Sequence, residues 1–313
     1  MLGKTAGGLY WMFRYLERSE NITRMIDVGL RISLTRPDNA QDEWASIMDS
    51  AGVRSIYEET HDKVNAASVI DFLLRDPDNP SSVMSCIGSA RMNARLVRTA
   101  LTREVWEATN ECWLRLKDVL ADPVAARELP EVLGIIRQQS ALVRAALHGT
   151  MLRNEIYNFS RIGTFIERAD NTARILDVKY YVLLPTADHV GSSLDNVQWE
   201  TILRSASGFR SYRMNYGPDI TPRGIAEFLI FDRQMPRSLA FCYSKIGENL
   251  GYLEEGRAER LPSNDVHDIF RRDFETQSVD TIFDLGLHTF LRGFEAYNSR
   301  LGSQIEQDYR FHS

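Results

Sequence analysis

Leu16-Glu17-Arg18-Ser19-Glu20-Asn21-Ile22-Thr23-Arg24-Met25-Ile26-Asp27-Val28 returns without a gap, 150 residues later, as Ile166-Glu167-Arg168-Ala169-Asp170-Asn171-Thr172-Ala173-Arg174-Ile175-Leu176-Asp177-Val178. Glu, Arg, Asn, Arg, Asp and Val are identical in both copies. So long a period reads as one unit used twice rather than a solenoid array. At about 100° per residue, Glu17, Asn21, Arg24 and Val28 cluster on one side of a helix, and Glu20 and Asp27 widen the arc to roughly 120°. Arg18 stands apart, at the edge of the apolar face.

The two copies have drifted unevenly. The apolar side exchanges Tyr15 for Phe165, Ile22 for Thr172 and Ile26 for Leu176, whereas the polar arc changes only Glu20 to Asp170 and keeps its charge. A solvated surface tolerates substitutions within about 0.5 kcal/mol, so it should have drifted faster than the core. The arc is therefore expected to face protein or ligand. Two meanings stay open for Glu17, Arg18, Asn21, Arg24 and Asp27 and for Glu167, Arg168, Asn171, Arg174 and Asp177. They form either a structural polar network linking the copies or a binding site for a charged ligand or peptide.

Outward from this motif the pattern is helical. Apolar positions recur at helical spacing from Leu9 to Leu34, and Thr35-Arg36-Pro37-Asp38-Asn39 ends the run because proline cannot continue a helix. Further helices are expected around Trp44–Ser50, over His61–Leu74, from Pro80-Ser81-Ser82 toward Ala100, from Thr102 through Leu116, and from Leu129-Pro130 toward Ala146. Trp199–Ala206 echoes Trp44–Ala51, Phe228 to Asp232 echoes Phe72 to Asp76, and Pro236, Ser238, Cys242 and Asn249 match Pro80, Ser82, Cys86 and Asn93. Thr221-Pro222 reads as an N-cap and first helical position, and Asp280–Arg310 as one last long helix. Strand patterns are essentially absent. The expected fold is all-α, a multi-helix bundle of two related halves, 1–150 and 151–313, each with its Glu-Arg helix. With no Pro/Gly/Ser linker at the seam, the halves should be fused into one compact domain.

Composition bounds the function. The 313 residues carry a net charge of −6 and a pI near 5.6, which argues against nucleic-acid binding by phosphate neutralisation. Three cysteines suit a reducing cytosol better than a disulfide framework. No stretch reaches the roughly 18 apolar residues of a membrane span, and the N-terminus lacks a signal-peptide core. A cytoplasmic protein with no membrane or nucleic-acid partner is expected.

Tyr10-Trp11-Met12-Phe13-Arg14-Tyr15-Leu16-Glu17-Arg18-Ser19-Glu20-Asn21 resembles the opening motif of the bacterial alpha-E domain family. Phe159, Gly163 and Ile166-Glu167-Arg168-Ala169-Asp170 resemble its second motif, and Ala90-Arg91-Met92-Asn93-Ala94-Arg95 and Pro236-Arg237-Ser238 look like further family segments. The resemblance spans essentially the whole chain. Met92 stands where an acidic residue is expected; Glu248 supplies it in the second half. The family implies an all-helical protein encoded beside circularly permuted ATP-grasp proteins and transglutaminase-like cysteine peptidases, a setting read as peptide synthesis, tagging or modification. It implies no activity for the helical protein itself.

Other chemistry is poorly supported. There is no Walker loop or dinucleotide glycine cluster, so no cofactor is expected. Of the spacing a di-iron bundle requires, only Glu58-Glu59-Thr60-His61 is present, so no metal is expected either. Cys86 and Cys242 lack a spaced activating partner and read as small core residues. His267-Asp268-Ile269-Phe270-Arg271-Arg272-Asp273 reads as a polar run between helices, and Arg210, Tyr212, Arg213 and Tyr216 as an ordinary surface loop, with partner or peptide docking as the weaker alternative. The expected function is a helical binding or scaffold subunit working with an ATP-grasp ligase and a transglutaminase-like protein, acting on a peptide. The alternative is a catalytic component in which a Glu/Arg-lined cleft serves amide-bond formation, with one carboxylate as base.

Overall fold

A computed structural model describes residues 1–33, 40–183, 193–255 and 257–312. Among them are fifteen α-helices and no strand. In the first part of the chain they are α1 (Gly3–Ser33), α2 (Ala40–Ala51), α3 (Arg54–Thr60), α4 (Ala66–Leu74), α5 (Val83–Leu96), α6 (Arg103–Val119) and α7 (Leu129–Thr150). After a turn at Met151–Asn154 come α8 (Glu155–Leu183), α9 (Ser193–Ser205), α10 (Phe209–Tyr216), α11 (Pro222–Ile230), α12 (Leu239–Glu254), α13 (Pro262–Glu275), α14 (Val279–Leu285) and α15 (Leu287–Asp308).

The two motif helices, α1 and α8, pack on each other at the centre. α5 and α7 flank α1, α12 and α15 flank α8, and α2 and α9 each touch both central helices. Surrounded this way, α1 buries residues on every side, from Leu9, Met12 and Phe13 to Glu17, Glu20, Asn21 and Arg24. A helix enclosed this far has little solvated face on which to leave charge, so its buried polar groups must find partners inside. Gly163 lets the crossing close, because a Cβ there would lie 2.2 Å from the Tyr10 carbonyl oxygen.

Local chemistry sets the ends. Ser82, Ser238, Thr102 and Thr221 accept N-cap bonds from Ser85, Phe241, Val105 and Gly224 amides, each satisfying a donor the helix cannot. The Cys86 thiol points at the Pro80 carbonyl and the Cys242 thiol at that of Pro236, at 3.8 and 3.9 Å.

Several boundaries differ from the sequence expectation. His61–Leu74 is not one helix: the Asn65 side chain accepts from the Ser68 amide and starts α4, while α3 precedes it. Pro80 lies in the turn before α5, whose cap is Ser82. The tail is broken at Gly286, with φ +97, into α14 and α15. His267–Asp273 lies within α13, and the cluster at 210–216 is helical, with Tyr212 buried and its hydroxyl donating to the Asp219 carbonyl. Thr35–Asn39, read as the stop of the first helix, lies outside the described residues.

Candidate functional site

The motif arms of α1 and α8 are exchanged. Arg18 donates Nε and Nη2 to the two carboxylate oxygens of Glu167 at 2.5 and 3.0 Å. Arg168 does the same to Glu17 at 2.7 and 2.9 Å. The planar fork of a guanidinium matches a carboxylate in this two-bond geometry, which fixes orientation as well as charge. Each carboxylate holds more than one cation. Glu167 also accepts from Arg14 Nε at 2.9 Å, and Glu17 from Arg237 Nη1 at 3.1 Å and Arg144 Nη1 at 3.4 Å. Glu20 joins them, bound by Arg24, Arg237 and Arg144 at 2.6, 2.5 and 2.5 Å.

The lower arms are exchanged as well. Arg24 donates Nη1 to the Ser205 carbonyl, at the end of α9, at 2.5 Å and to Ser207 Oγ at 2.9 Å. Arg174 donates Nη1 to the Ser50 carbonyl, near the end of α2, at 3.0 Å and pairs with Asp170 at 2.6 Å. Both caps thus place a cation where the helix dipole is negative and carbonyls lack intrahelical partners. Gly52 and Ser207, just past α2 and α9, both take positive φ, +70° and +58°. Asn21 Nδ2 donates to the Glu167 carbonyl at 3.3 Å, whereas the buried Asn171 Nδ2 makes no hydrogen bond among the described residues. Asp27 and Asp177 part company: Asp27 pairs with Arg31 on the surface at 3.2 Å, and buried Asp177 meets His288 Nδ1 at 2.6 Å.

Burial by itself would raise Glu17, Glu20 and Glu167, but the arginines outweigh it. Glu167 is held at about 2 by Arg18 and then Arg14. Glu17 sits well below the ordinary carboxylate range through Arg168, Arg237 and Arg144, and Glu20 is also lowered. Arg18 is raised chiefly by Glu167, and Arg168 is raised by Glu17 despite its burial. Arg237 is pushed down to about 9 by burial and then by neighbouring Arg24. Such carboxylates stay ionised and are poor proton acceptors. Burial also pushes Cys86, Cys112 and Cys242 up to about 12, so none is a ready nucleophile.

Three members of this network, Arg14, Arg144 and Arg237, were not among the sequence candidates. Arg14 lies one turn before Arg18, and Arg237 lies within Pro236-Arg237-Ser238; Arg144 carried no sequence signal. Two hollows lie nearby. One, of about 450 Å³, is lined by Arg174 with Asp49, Gly52 and Glu295. The larger is a cleft of about 1140 Å³ bounded by α11, α12, α13 and α14, with Phe231, Phe270 and Phe274 in its wall. Asn264, 4% exposed, lines it with a buried Nδ2 that has no partner among the described residues. Beside it, buried His267 fills the space left by Gly247, where a Cβ would meet its ring at 2.4 Å.

Among known proteins, the model of the Alpha-E family, described as a predicted alpha-helical domain with a conserved ER motif, matches residues 1–309. An uncharacterized protein of Mycobacterium bovis and one of Mycobacterium tuberculosis are each 23% identical over 282 residues, which is 84% of this chain and 31% of theirs. A second Mycobacterium tuberculosis strain has one 22% identical over the same shares. The chain thus spans about a third of the length of these relatives. No solved structure matches.

Proposed function

The chain belongs to the Alpha-E family, and on that premise we propose that it is a non-catalytic helical binding or scaffold subunit of a bacterial peptide synthesis or modification system. In this reading its Glu-Arg motifs are the internal clamp that holds two related, duplicated halves in register. The observation that carries it is the saturation of both motif glutamates. Glu17 and Glu167 are buried, each engages at least two guanidiniums, and both carboxyls lie far below neutrality. A general base needs access and a pKa near the working pH; these groups have neither. That weighs against the alternative of a Glu/Arg-lined catalytic cleft.

The binding surface in this reading is the cleft between α11 and α14. An aromatic wall beside a few convergent polar groups is what a ligand pocket offers, and the unpartnered Asn264 amide suits a peptide carbonyl. The partners are an ATP-grasp ligase and a transglutaminase-like protein, as the family resemblance implies. The greater length of the mycobacterial relatives, where the matching region is 31% of the protein, agrees with a unit that works beside other domains. Among the described residues no helix is long and apolar enough to cross a membrane, and three free buried cysteines accord with a cytoplasmic setting.

The test is co-purification of the chain with an ATP-grasp protein from the same genome, followed by ligase assays with and without it. We expect a complex and stimulation of ligation, no turnover by the isolated chain, and Asn264→Leu to weaken peptide capture while leaving the fold intact. Turnover by the isolated chain that vanishes in Glu17→Gln at unchanged melting temperature would sink the scaffold reading.

A further inference from the structure

A second cluster of charge sits where α7 turns into α8, outside the cleft. His148 ends α7, Arg144 lies one helical turn earlier, Arg153 occupies the bend, and Tyr157, Arg161 and Arg168 follow along α8. His148 bridges the two helices: Nδ1 meets the Tyr157 hydroxyl at 2.9 Å and Nε2 meets Arg161 Nη1 at 3.0 Å. A guanidinium can only donate, so Nε2 accepts and the proton of a neutral imidazole sits on Nδ1. Nδ1–H then donates to the Tyr157 oxygen, which leaves the Tyr157 hydroxyl proton directed to a further acceptor.

The charge here is unbalanced. Arg144 and Arg168 share Glu17, and Arg144 also reaches Glu20. Arg153 spends its donors on the Met151 and His148 carbonyls, with its guanidinium 4.0 Å over the Tyr157 ring. Arg161 is half-buried, packs 4.4 Å over the Phe165 ring, and has no carboxylate within ion-pair distance among the described residues. Four guanidiniums therefore face His148 with two already shared carboxylates behind them. His148 records the excess: burial first, then Arg161, Arg153, Arg144 and Arg168, push it down to about 4. Burial also lowers Arg161.

We propose that Arg161, with Arg153, Arg144, Arg168 and the Tyr157 hydroxyl, forms an anion-binding site that takes a carboxylate or phosphate group beside His148. A half-buried guanidinium held by a neutral imidazole and aromatic faces has lost water without gaining a counter-charge. An oxyanion restores that loss with charge-assisted hydrogen bonds, and the arginine fork fits carboxylate and phosphate alike. The tyrosine hydroxyl adds a neutral donor. Because Arg168 also clamps Glu17, the anion would sit against the motif itself, in a chain whose net charge of −6 otherwise repels anions. The site is independent of the ligase partnership and of the cleft.

His148 is a built-in reporter. Its Cε1–H resonance, assigned with His148→Gln, can be followed by NMR through a pH titration in chloride buffer, then with inorganic phosphate or acetate added. An anion bound beside the ring favours the imidazolium, so we expect a saturable shift and a rise in the His148 pKa of about one unit or more. Saturation by phosphate alone identifies a phosphate site, by acetate alone a carboxylate site, and by both a general oxyanion site. Arg161→Gln should abolish the saturable response, and Arg153→Gln, at an exposed position, should weaken it without threatening the fold. Arg115→Gln, on the exposed face of α6, should leave it unchanged. No saturable shift with either anion, or the same shift in wild type and both site variants, overturns the proposal.

Discussion

Glu167→Gln removes one charge and almost no volume, and it leaves Arg18 and Arg14 facing an amide. Breaking a buried ion pair by deleting one partner costs about 3–5 kcal/mol. Here the two arginines keep 25% and 16% of their side-chain surface, so water takes up part of the loss and the low end of that range applies. The carboxyl itself gives a second route to the magnitude: moving from 4.5 to about 2 on folding corresponds to about 3 kcal/mol. For a chain of this length that is a melting-temperature loss of roughly 5 °C. The pH dependence has a fixed sign. The folded carboxyl titrates below the unfolded one, so the unfolded chain binds the extra proton in between and stability rises with pH. The contribution is complete above about pH 5 and fades as the pH falls toward about 2. Urea unfolding of wild type and Glu167→Gln at pH 7 and pH 3 should therefore show a gap of about 3 kcal/mol that falls by roughly half on acidification. A gap under about 1 kcal/mol at pH 7, or one indifferent to pH, would refute the clamp.

Other perturbations probe the same architecture. Gly163→Ala places a Cβ about 2 Å from a backbone oxygen of α1, so the central helices must separate; thermal unfolding should report a loss of about 1–3 kcal/mol or more. Arg24→Met uncaps α9 and strips Glu20 of one cation, and should cost about 2–4 kcal/mol in denaturant melts. Arg174→Met loses its bond to the Ser50 carbonyl and a pair with Asp170 that keeps 28% and 22% exposure, and should cost less, about 1–2 kcal/mol. Iodoacetamide at pH 8 should leave Cys86, Cys112 and Cys242 unmodified in the native protein and label all three in urea, as read by mass spectrometry. Prompt labelling of the folded chain would contradict their burial.

Much of this is legible in the sequence. The repeat located both central helices, and uneven drift between copies pointed to partners other than bulk water. The limits came from treating each helix as a cylinder with one apolar face. Arg18 stood apart from the polar arc, yet it makes the two-bond contact to Glu167, because the edge of α1 on which it lies meets α8. Nothing in a single helix could show that Glu17 would be met by Arg168 rather than by an i,i+4 neighbour, as Asp27 is by Arg31. Ser50 and Ser205 lay inside the echoed tryptophan blocks, but their carbonyls became partners only through tertiary placement. Gly286 broke the expected tail helix by taking positive φ, which the surrounding helical pattern concealed.

The cross-connection of the arms also governs the order in which this chain can mature. Glu17 is made before any of its cations, which stand at 144, 168 and 237, so its interior position cannot be completed until Arg237 has been synthesised. Until then the Glu17 carboxylate lacks the ion pairs that offset its burial. Closing loops this long is slow and leaves intermediates open to misassembly. Burial of the first motif helix is thus withheld until after the second has been made, and Arg237 is the residue that completes it.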